Sequence, residues 1–173
     1  MVPAGESRDP DGKLRLLIVD DIEVERLMVR RALARTGLAG AEVHEADTAA
    51  RALALLETVD SFDCVLLDYE LTTETGLDVL RRVSDERDVP VIMLTGRSDP
   101  ATVATLMKEG AIDLLTKEGL TPDRLEHAVR TAVRVARGER AAAAHRALLE
   151  TTLRSIADAV LVVEARGAIS YMN

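Results

Sequence analysis

Four short apolar runs, separated by longer amphipathic stretches, constrain the fold of this chain more than any other feature. They are rich in Val, Ile and Leu, they are bounded by turn-forming or charged residues, and they are too short to be globular helices. Each run is therefore predicted to be a buried β-strand, and the four are Leu14–Asp20, Phe62–Asp68, Val89–Thr95 and Ile112–Lys117. A fifth run, Ala41–Ala46, contains Glu42, His44 and Glu45, and this polarity favours a strand at the edge of a sheet.

Helical patterns lie between these strands, and residues that favour helix ends flank some of them. Thr36-Gly37 and Glu109-Gly110 are typical of helix ends, whereas Asp99-Pro100 is typical of a cap followed by a first-turn proline. Five strands alternating with helices indicate a parallel sheet covered on both faces. The predicted fold class is α/β, a doubly wound five-stranded parallel sheet of the flavodoxin-like order 2-1-3-4-5. The predicted helices are Ile22–Thr36, Thr48–Thr58, Leu77–Arg87 and Pro100–Gly110.

Composition excludes several classes of partner. The 173 residues are 47% hydrophobic and 30% charged, as in a folded globular protein. A net charge of −8 and only three aromatic side chains argue against nucleic-acid binding. No apolar stretch approaches the ~20 residues of a membrane span. Residues 1–13 are expected to form a disordered leader without the apolar core of a signal peptide, so a cytoplasmic location is expected, and the single cysteine, Cys64, is predicted to be buried.

The predicted strands end in polar residues that have both structural and chemical interpretations. Strand 1 ends in Asp20-Asp21, strand 3 in Asp68, strand 4 in Thr95 and strand 5 in Lys117. Considered separately, the aspartate pair would cap the next helix, Asp68 would close a turn, Thr95 would finish a β-branched strand, and Lys117 would be solvated. None of these residues predicts a functional site when taken alone, but their position at one edge of the same sheet does.

In a doubly wound sheet, sites form at the carboxyl ends of the strands, beside the switch point between strands 1 and 3. Three carboxylates at that edge repel one another unless a cation joins them. Oxygen-only ligands favour a hard ion, and Mg²⁺ with retained waters fits best. One carboxylate would then attack a phosphoryl group, whose oxygens Lys117 and Thr95 would bind. The set predicts phosphoryl transfer to an aspartate.

Four motifs carry a resemblance to a known family. Residues from Leu14 to about Gly138 resemble the receiver domain of two-component response regulators, both in these motifs and in the eight-residue spacing from Asp68 to Gly76. The motifs are LLIVDD (Leu16–Asp21), VLLDYE (Val65–Glu70), VIMLTG (Val91–Gly96) and LLTK (Leu114–Lys117).

The resemblance implies a role for each residue of the site. Asp68 would be the phosphoacceptor and would receive its phosphoryl group from a histidine kinase or phosphotransfer protein. Asp21 and Asp68 would bind Mg²⁺ directly with the backbone carbonyl of Glu70, and Asp20 would act mainly through water. Thr95 and Lys117 would bind the phosphoryl oxygens.

Two positions depart from the family pattern. The family usually has an aromatic residue three positions before the lysine, where this chain has Leu114, and often a proline after it, where this chain has Glu118. The hypothesis that follows is that activation depends on Thr95 and the helix of residues 100–110, without rotation of an aromatic ring.

The chain beyond the receiver continues as a helical pattern. Thr121-Pro122 is predicted to begin a helix that extends through Leu148, Leu149 and Leu153. We assign residues 14–138 to the receiver and residues 139–154 to a helical linker. The linker is expected to form a homodimer as an imperfect coiled coil. The alternative is a helix that packs on its own receiver.

Residues 155–173 read as strand, turn at Arg166-Gly167, and strand. They resemble the start of a PAS sensor domain, which needs roughly a hundred residues, so the chain is expected to be a fragment cut inside that domain. The expected function is a receiver module without classical enzyme activity. By family habit the missing output would be cyclic-dinucleotide turnover or a histidine kinase.

The sequence leaves two alternatives to that function. One is a receiver-like dimerisation module that is never phosphorylated. The other is a phosphohydrolase with an aspartate nucleophile, which needs D-x-D after strand 1, whereas Asp20 and Asp21 are adjacent.

Overall fold

Five strands and five helices alternate along most of the chain in the computed structural model. The structure describes residues 13–59, 61–72, 74–86, 88–96, 99–155, 161–163 and 169–172. The strands of the main sheet are β1 (Arg15–Val19), β2 (Glu42–Ala46), β3 (Cys64–Asp68), β4 (Val91–Thr95) and β5 (Asp113–Thr116). The helices are α1 (Glu23–Leu33), α2 (Ala49–Thr58), α3 (Gly76–Glu86), α4 (Pro100–Lys108) and α5 (Pro122–Ser155), and a 3-10 turn covers Lys117–Gly119.

The main sheet has the predicted order, β2-β1-β3-β4-β5, and all its strand pairs are parallel. The polar strand β2 lies at an edge, as its composition predicted. The register places Val19 beside Leu67 and Asp68 beside Leu94. Since parallel strands end at the same edge of a sheet, the carboxyl ends of β1, β3, β4 and β5 come together.

Successive strand residues face opposite sides of the sheet, and both sides are covered. Leu17 and Val19 pack with buried residues of α2, α3 and α4, whereas Leu16 and Ile18 pack with buried residues of α1 and α5. This double burial explains why the strands read as continuous apolar runs rather than as alternating patterns. Cys64 is fully buried among these residues, as predicted.

Local side-chain chemistry determines where the helices begin and end. The Asp99 carboxylate accepts hydrogen bonds from the N–H groups of Ala101 (3.1 Å) and Thr102 (3.0 Å) ahead of α4. Gly110 follows α4 with a φ of +103°, a left-handed conformation that favours glycine. The first helix was predicted too long. It ends at Leu33, whose carbonyl accepts a hydrogen bond from the Thr36 hydroxyl (2.6 Å).

The C-terminal part of the chain contains a long helix and a hairpin. Helix α5 begins at Pro122, as predicted, and continues through Gly138 without interruption. A boundary between two compact units falls after Ala136. Strands β6 (Leu161–Val163) and β7 (Ile169–Met172) pair antiparallel, while the predicted turn between them and the predicted leader up to residue 12 lie outside the described residues. Among the described helices, none is both long and apolar enough to span a membrane.

Candidate functional site

Three aspartates meet at the carboxyl ends of β1 and β3. Asp20, Asp21 and Asp68 each offer a carboxylate oxygen, and these oxygens lie within 4.8 Å of one another. Asp20 and Asp68 are buried, with 0% and 2% of their surface exposed. Asp68 is the last residue of β3, and the aspartate pair follows the neighbouring strand β1. The pairing of these two strands therefore brings together the acids that were predicted to form the site.

Asp20 is held from three directions. Its Oδ1 accepts a hydrogen bond from the Ile22 N–H (2.8 Å), and its Oδ2 lies 2.9 Å from Lys117 Nζ. Its backbone carbonyl accepts from the Arg26 guanidinium (2.7 Å). Ile22 is itself the residue that precedes α1, and no side chain caps this helix. Asp20 therefore orders the turn into α1 instead of capping the helix.

Asp21 has one engaged oxygen and one orphaned oxygen. Its Oδ2 accepts from the Thr72 N–H (3.0 Å) and from the Thr72 hydroxyl. Within the described part of the chain, its Oδ1 is buried without a hydrogen-bond partner. A buried acceptor without a partner is costly, and a bound cation would satisfy it. Together with the oxygen-only donor set, this orphaned oxygen fits a hard divalent ion such as Mg²⁺.

Lys117 connects the cluster to a fourth acid. Its ammonium lies 2.8 Å from Asp68 Oδ1 and 2.9 Å from Asp20 Oδ2, and it also pairs with Glu25 of α1. Burial lowers the pKa of Lys117, but the hydrogen bonds to the three carboxylates outweigh burial and raise it above its ordinary value. Lys117 therefore carries its charge at physiological pH. Sequence reasoning did not identify Glu25, although an acid one helical turn after Asp21 was a usable signal.

Two carboxylates of the cluster, those of Asp20 and Asp68, are difficult to ionise. The pKa of Asp20 is raised to about 6, mainly by burial and slightly by the charge of Asp68. Lys117 and the Ile22 N–H oppose this rise. Burial also raises the pKa of Asp68, against the opposing effects of Lys117 and the Glu70 N–H. Crowding of buried negative charge is thus a cost of this site that a bound cation would offset.

Glycine at position 76 permits a close approach to the backbone of Asp68. A Cβ on Gly76 would lie 2.1 Å from the Asp68 carbonyl oxygen, and the Gly76 N–H donates to the Tyr69 carbonyl (2.8 Å). The Glu70 N–H donates to the Asp68 carboxylate. The predicted use of the Glu70 carbonyl as a metal ligand stays a prediction.

Thr95 and Leu114 occupy neighbouring strands of the same sheet. Thr95 is buried at the end of β4, one residue beyond the Leu94 that pairs with Asp68. Leu114 lies on β5 and packs, partly buried, against the core on the side of α2, α3 and α4. The position at which the family usually has an aromatic residue is thus filled by an aliphatic one in contact with the core.

Comparison with known proteins agrees with this fold. The family model of the response regulator receiver domain matches residues 16–130. A chemotaxis protein CheY homologue of Campylobacter jejuni is 29% identical over 132 residues, which cover 75% of this chain and 99% of that protein. A protein-glutamate methylesterase/protein-glutamine glutaminase of Anaeromyxobacter dehalogenans is 31% identical over 147 residues, which cover 82% of this chain and 39% of that protein.

A solved structure extends the comparison to the fold. A two-component response regulator/GGDEF domain protein superposes with a TM-score of 0.65 at 25% identity, and the match covers 72% of this chain and 51% of that one. The family match, which spans most of the chain, includes every strand end that forms the site. The chain therefore belongs to the family of response regulator receiver domains.

Proposed function

We propose that this chain is a phosphoacceptor module in which Asp68 receives a phosphoryl group from a histidine kinase or phosphotransfer protein. One observation carries the proposal: Lys117 bridges the buried carboxylates of Asp20 and Asp68 in a cluster of three aspartates. A lysine and three acids that served only stability would be an expensive arrangement, because each buried charge loses hydration. Phosphoryl transfer uses every member of this set.

The residues have distinct roles in the proposed transfer. An oxygen of Asp68 attacks phosphorus, the bond from phosphorus to the donor breaks, and the donor leaves with the bonding electron pair. Lys117 binds a phosphoryl oxygen, and Thr95 donates a hydrogen bond to another. Asp21, Asp68 and the Glu70 carbonyl would hold Mg²⁺, with Asp20 acting mainly through water. The ion supplies positive charge that offsets the phosphoryl oxygens.

A mass measurement tests the proposal. Wild-type protein incubated with Mg²⁺ and acetyl phosphate is expected to gain the mass of one phosphoryl group, and Asp68→Asn is expected to gain none. Asn has the size of Asp but is a poor nucleophile, which makes it a matched control. A wild-type protein that gains no mass, or an adduct that survives Asp68→Asn, would refute Asp68 as the acceptor.

We further propose that residues 139–154 form a linker through which two copies of the chain pair. Leu148 and Leu149 of α5 are 63% and 50% exposed, and burying them would remove apolar surface from water. Phosphorylation would then change how the receivers and their helices pair. Light scattering with and without beryllofluoride tests this idea, and a monomer mass in both states would contradict it.

Residues 155–173 are proposed to begin a PAS-like domain that leads to an output, either cyclic-dinucleotide turnover or a histidine kinase. The antiparallel pair of β6 and β7 supports the first part. The proposed output rests on similar proteins that are longer than the matched segment. One of them is named for a GGDEF domain. A lone hairpin is marginal in water, so rapid amide exchange is expected in both strands of this chain. Strong protection there would contradict an incomplete domain.

A further inference from the structure

Three carboxylates surround the Lys117 ammonium at ion-pair distance. Its ammonium contacts Asp20, Asp68 and Glu25, and an ammonium has three hydrogens to donate. A phosphoryl oxygen that binds Lys117 must therefore displace at least one of these acids. Which acid is displaced decides how readily the site accepts a phosphoryl group.

Asp20 and Glu25, the two partners of Lys117 that do not react, differ in how easily they can release it. Asp20 has no exposed surface and is fixed by the Ile22 N–H as well, so a released Asp20 would stay buried. The Glu25 side chain is 31% exposed, and water can solvate its carboxylate when the lysine leaves. Glu25 projects from the first turn of α1 and is not one of the three acids of the metal cluster.

Glu25 also places negative charge near the reacting aspartate. Burial is the main cause of the raised pKa of Asp68, and the charge of Glu25 raises it further. The same charge repels an anionic phosphoryl group, whose oxygens would lie between Asp68 and Lys117. Competition for Lys117 and repulsion of the phosphoryl group therefore both weaken the binding of a phosphoryl group.

We propose that Glu25 is a positioning residue that holds Lys117 before phosphorylation and competes with the phosphoryl oxygens for it, which lowers the affinity of the site for phosphoryl groups. This inference rests on the proposed role of Asp68 and concerns its regulation. Glu25 sets how much phosphoryl donor is needed to load the receiver. The affinity of the site for phosphoryl groups therefore depends on a residue of α1 as well as on the strand ends.

Glu25→Gln tests the proposal with little change in shape. Gln retains an oxygen that can accept a hydrogen bond from Lys117, but it has no charge. Asp20 still holds the ammonium at 2.9 Å, so Lys117 stays in the pocket. Glu23→Gln is the matched control, because Glu23 is exposed and lies in the same helical turn, and its substitution removes the same charge.

The dissociation constant for beryllofluoride with saturating Mg²⁺, measured by fluorine NMR, is the readout. Glu25→Gln is expected to bind about three- to tenfold more tightly than wild type, given the range of partly exposed charge interactions. Glu23→Gln is expected to stay within about twofold. Glu25→Asp, which keeps the charge, should lie closer to wild type than to Glu25→Gln.

Two outcomes distinguish a failure of the Glu25 role from a failure of the proposed function. If wild type binds beryllofluoride and Glu25→Gln binds it no more tightly than Glu23→Gln does, the role of Glu25 is wrong while that of Asp68 stands. If wild type binds none at all, the proposed function fails and the role of Glu25 fails with it. Urea unfolding of each variant verifies that the differences arise in folded protein.

Discussion

Replacing Asp20 by Asn is predicted to stabilise the magnesium-free protein at neutral pH. Burial raises the pKa of this carboxyl from 3.8 to about 6, despite its contact with Lys117. In the unfolded chain the carboxyl loses its proton at lower pH than in the folded protein. The folded state is therefore destabilised progressively as pH rises from about 4 to about 6 and fully above that.

The magnitude follows from the size of the shift. A displacement of about two pKa units at roughly 1.4 kcal/mol each corresponds to about 3 kcal/mol. Asn keeps an oxygen for the Ile22 N–H, and Lys117 keeps Asp68 and Glu25. The variant is therefore expected to gain up to about 3 kcal/mol at pH 8, roughly half of that at pH 5, and about 0.5 kcal/mol near pH 4.

Urea unfolding monitored by circular dichroism, with EDTA present, measures this difference. Asp47→Asn is the matched control, because Asp47 is exposed and its change is expected to stay within about 0.5 kcal/mol. Added Mg²⁺ should stabilise wild type more than Asp20→Asn and narrow the gap. Equal or lower stability of Asp20→Asn at pH 8 in EDTA would refute the view that burial of the ionised Asp20 carboxylate destabilises the magnesium-free protein.

Two further predictions concern the supports of the site. Gly76→Ala forces a methyl group against the Asp68 carbonyl and is expected to cost about 1–3 kcal/mol in urea unfolding, whereas Gly40→Ala, with open space around it, should be nearly neutral. Arg26→Met removes the hydrogen bond to the Asp20 carbonyl and the ion pair with Glu45. The affinity for Mg²⁺, measured by calorimetry, is expected to fall several-fold. Arg30→Met, which loses only an exposed pair with Glu45, is its control, and equal losses in both variants would contradict a positioning role for Arg26.

The strand ends were predictable from sequence because burial on both faces makes these strands continuous apolar runs. Once the sheet order is known, Asp20, Asp21 and Asp68 must lie at one edge, and the structure brings them within 4.8 Å. The position of β2 followed from its polarity in the same way. These features depend on local composition and on a topology that few alternatives satisfy.

The contacts that position these acids were mostly not predictable, and only the helical spacing of Glu25 from Asp21 gave a signal. Glu25, Arg26 and Thr72 reach the site from a helix and a loop, and their side-chain directions depend on tertiary packing rather than on local pattern. The end of α1 was also misjudged, because a threonine hydroxyl closes the chain onto Leu33 before the pattern ends. Such local hydrogen bonds compete with helical ones and have no periodic signature.

Borohydride reduction of the phosphorylated protein tests the central claim most directly. An acyl phosphate on an aspartate is reduced to an alcohol, which converts the modified residue to homoserine and marks it permanently for peptide mass spectrometry. After treatment with Mg²⁺ and acetyl phosphate, homoserine is expected at position 68, and EDTA should prevent it. Homoserine at Asp20 or Asp21 instead, or none at any position, would contradict the assignment of Asp68 as the phosphoacceptor.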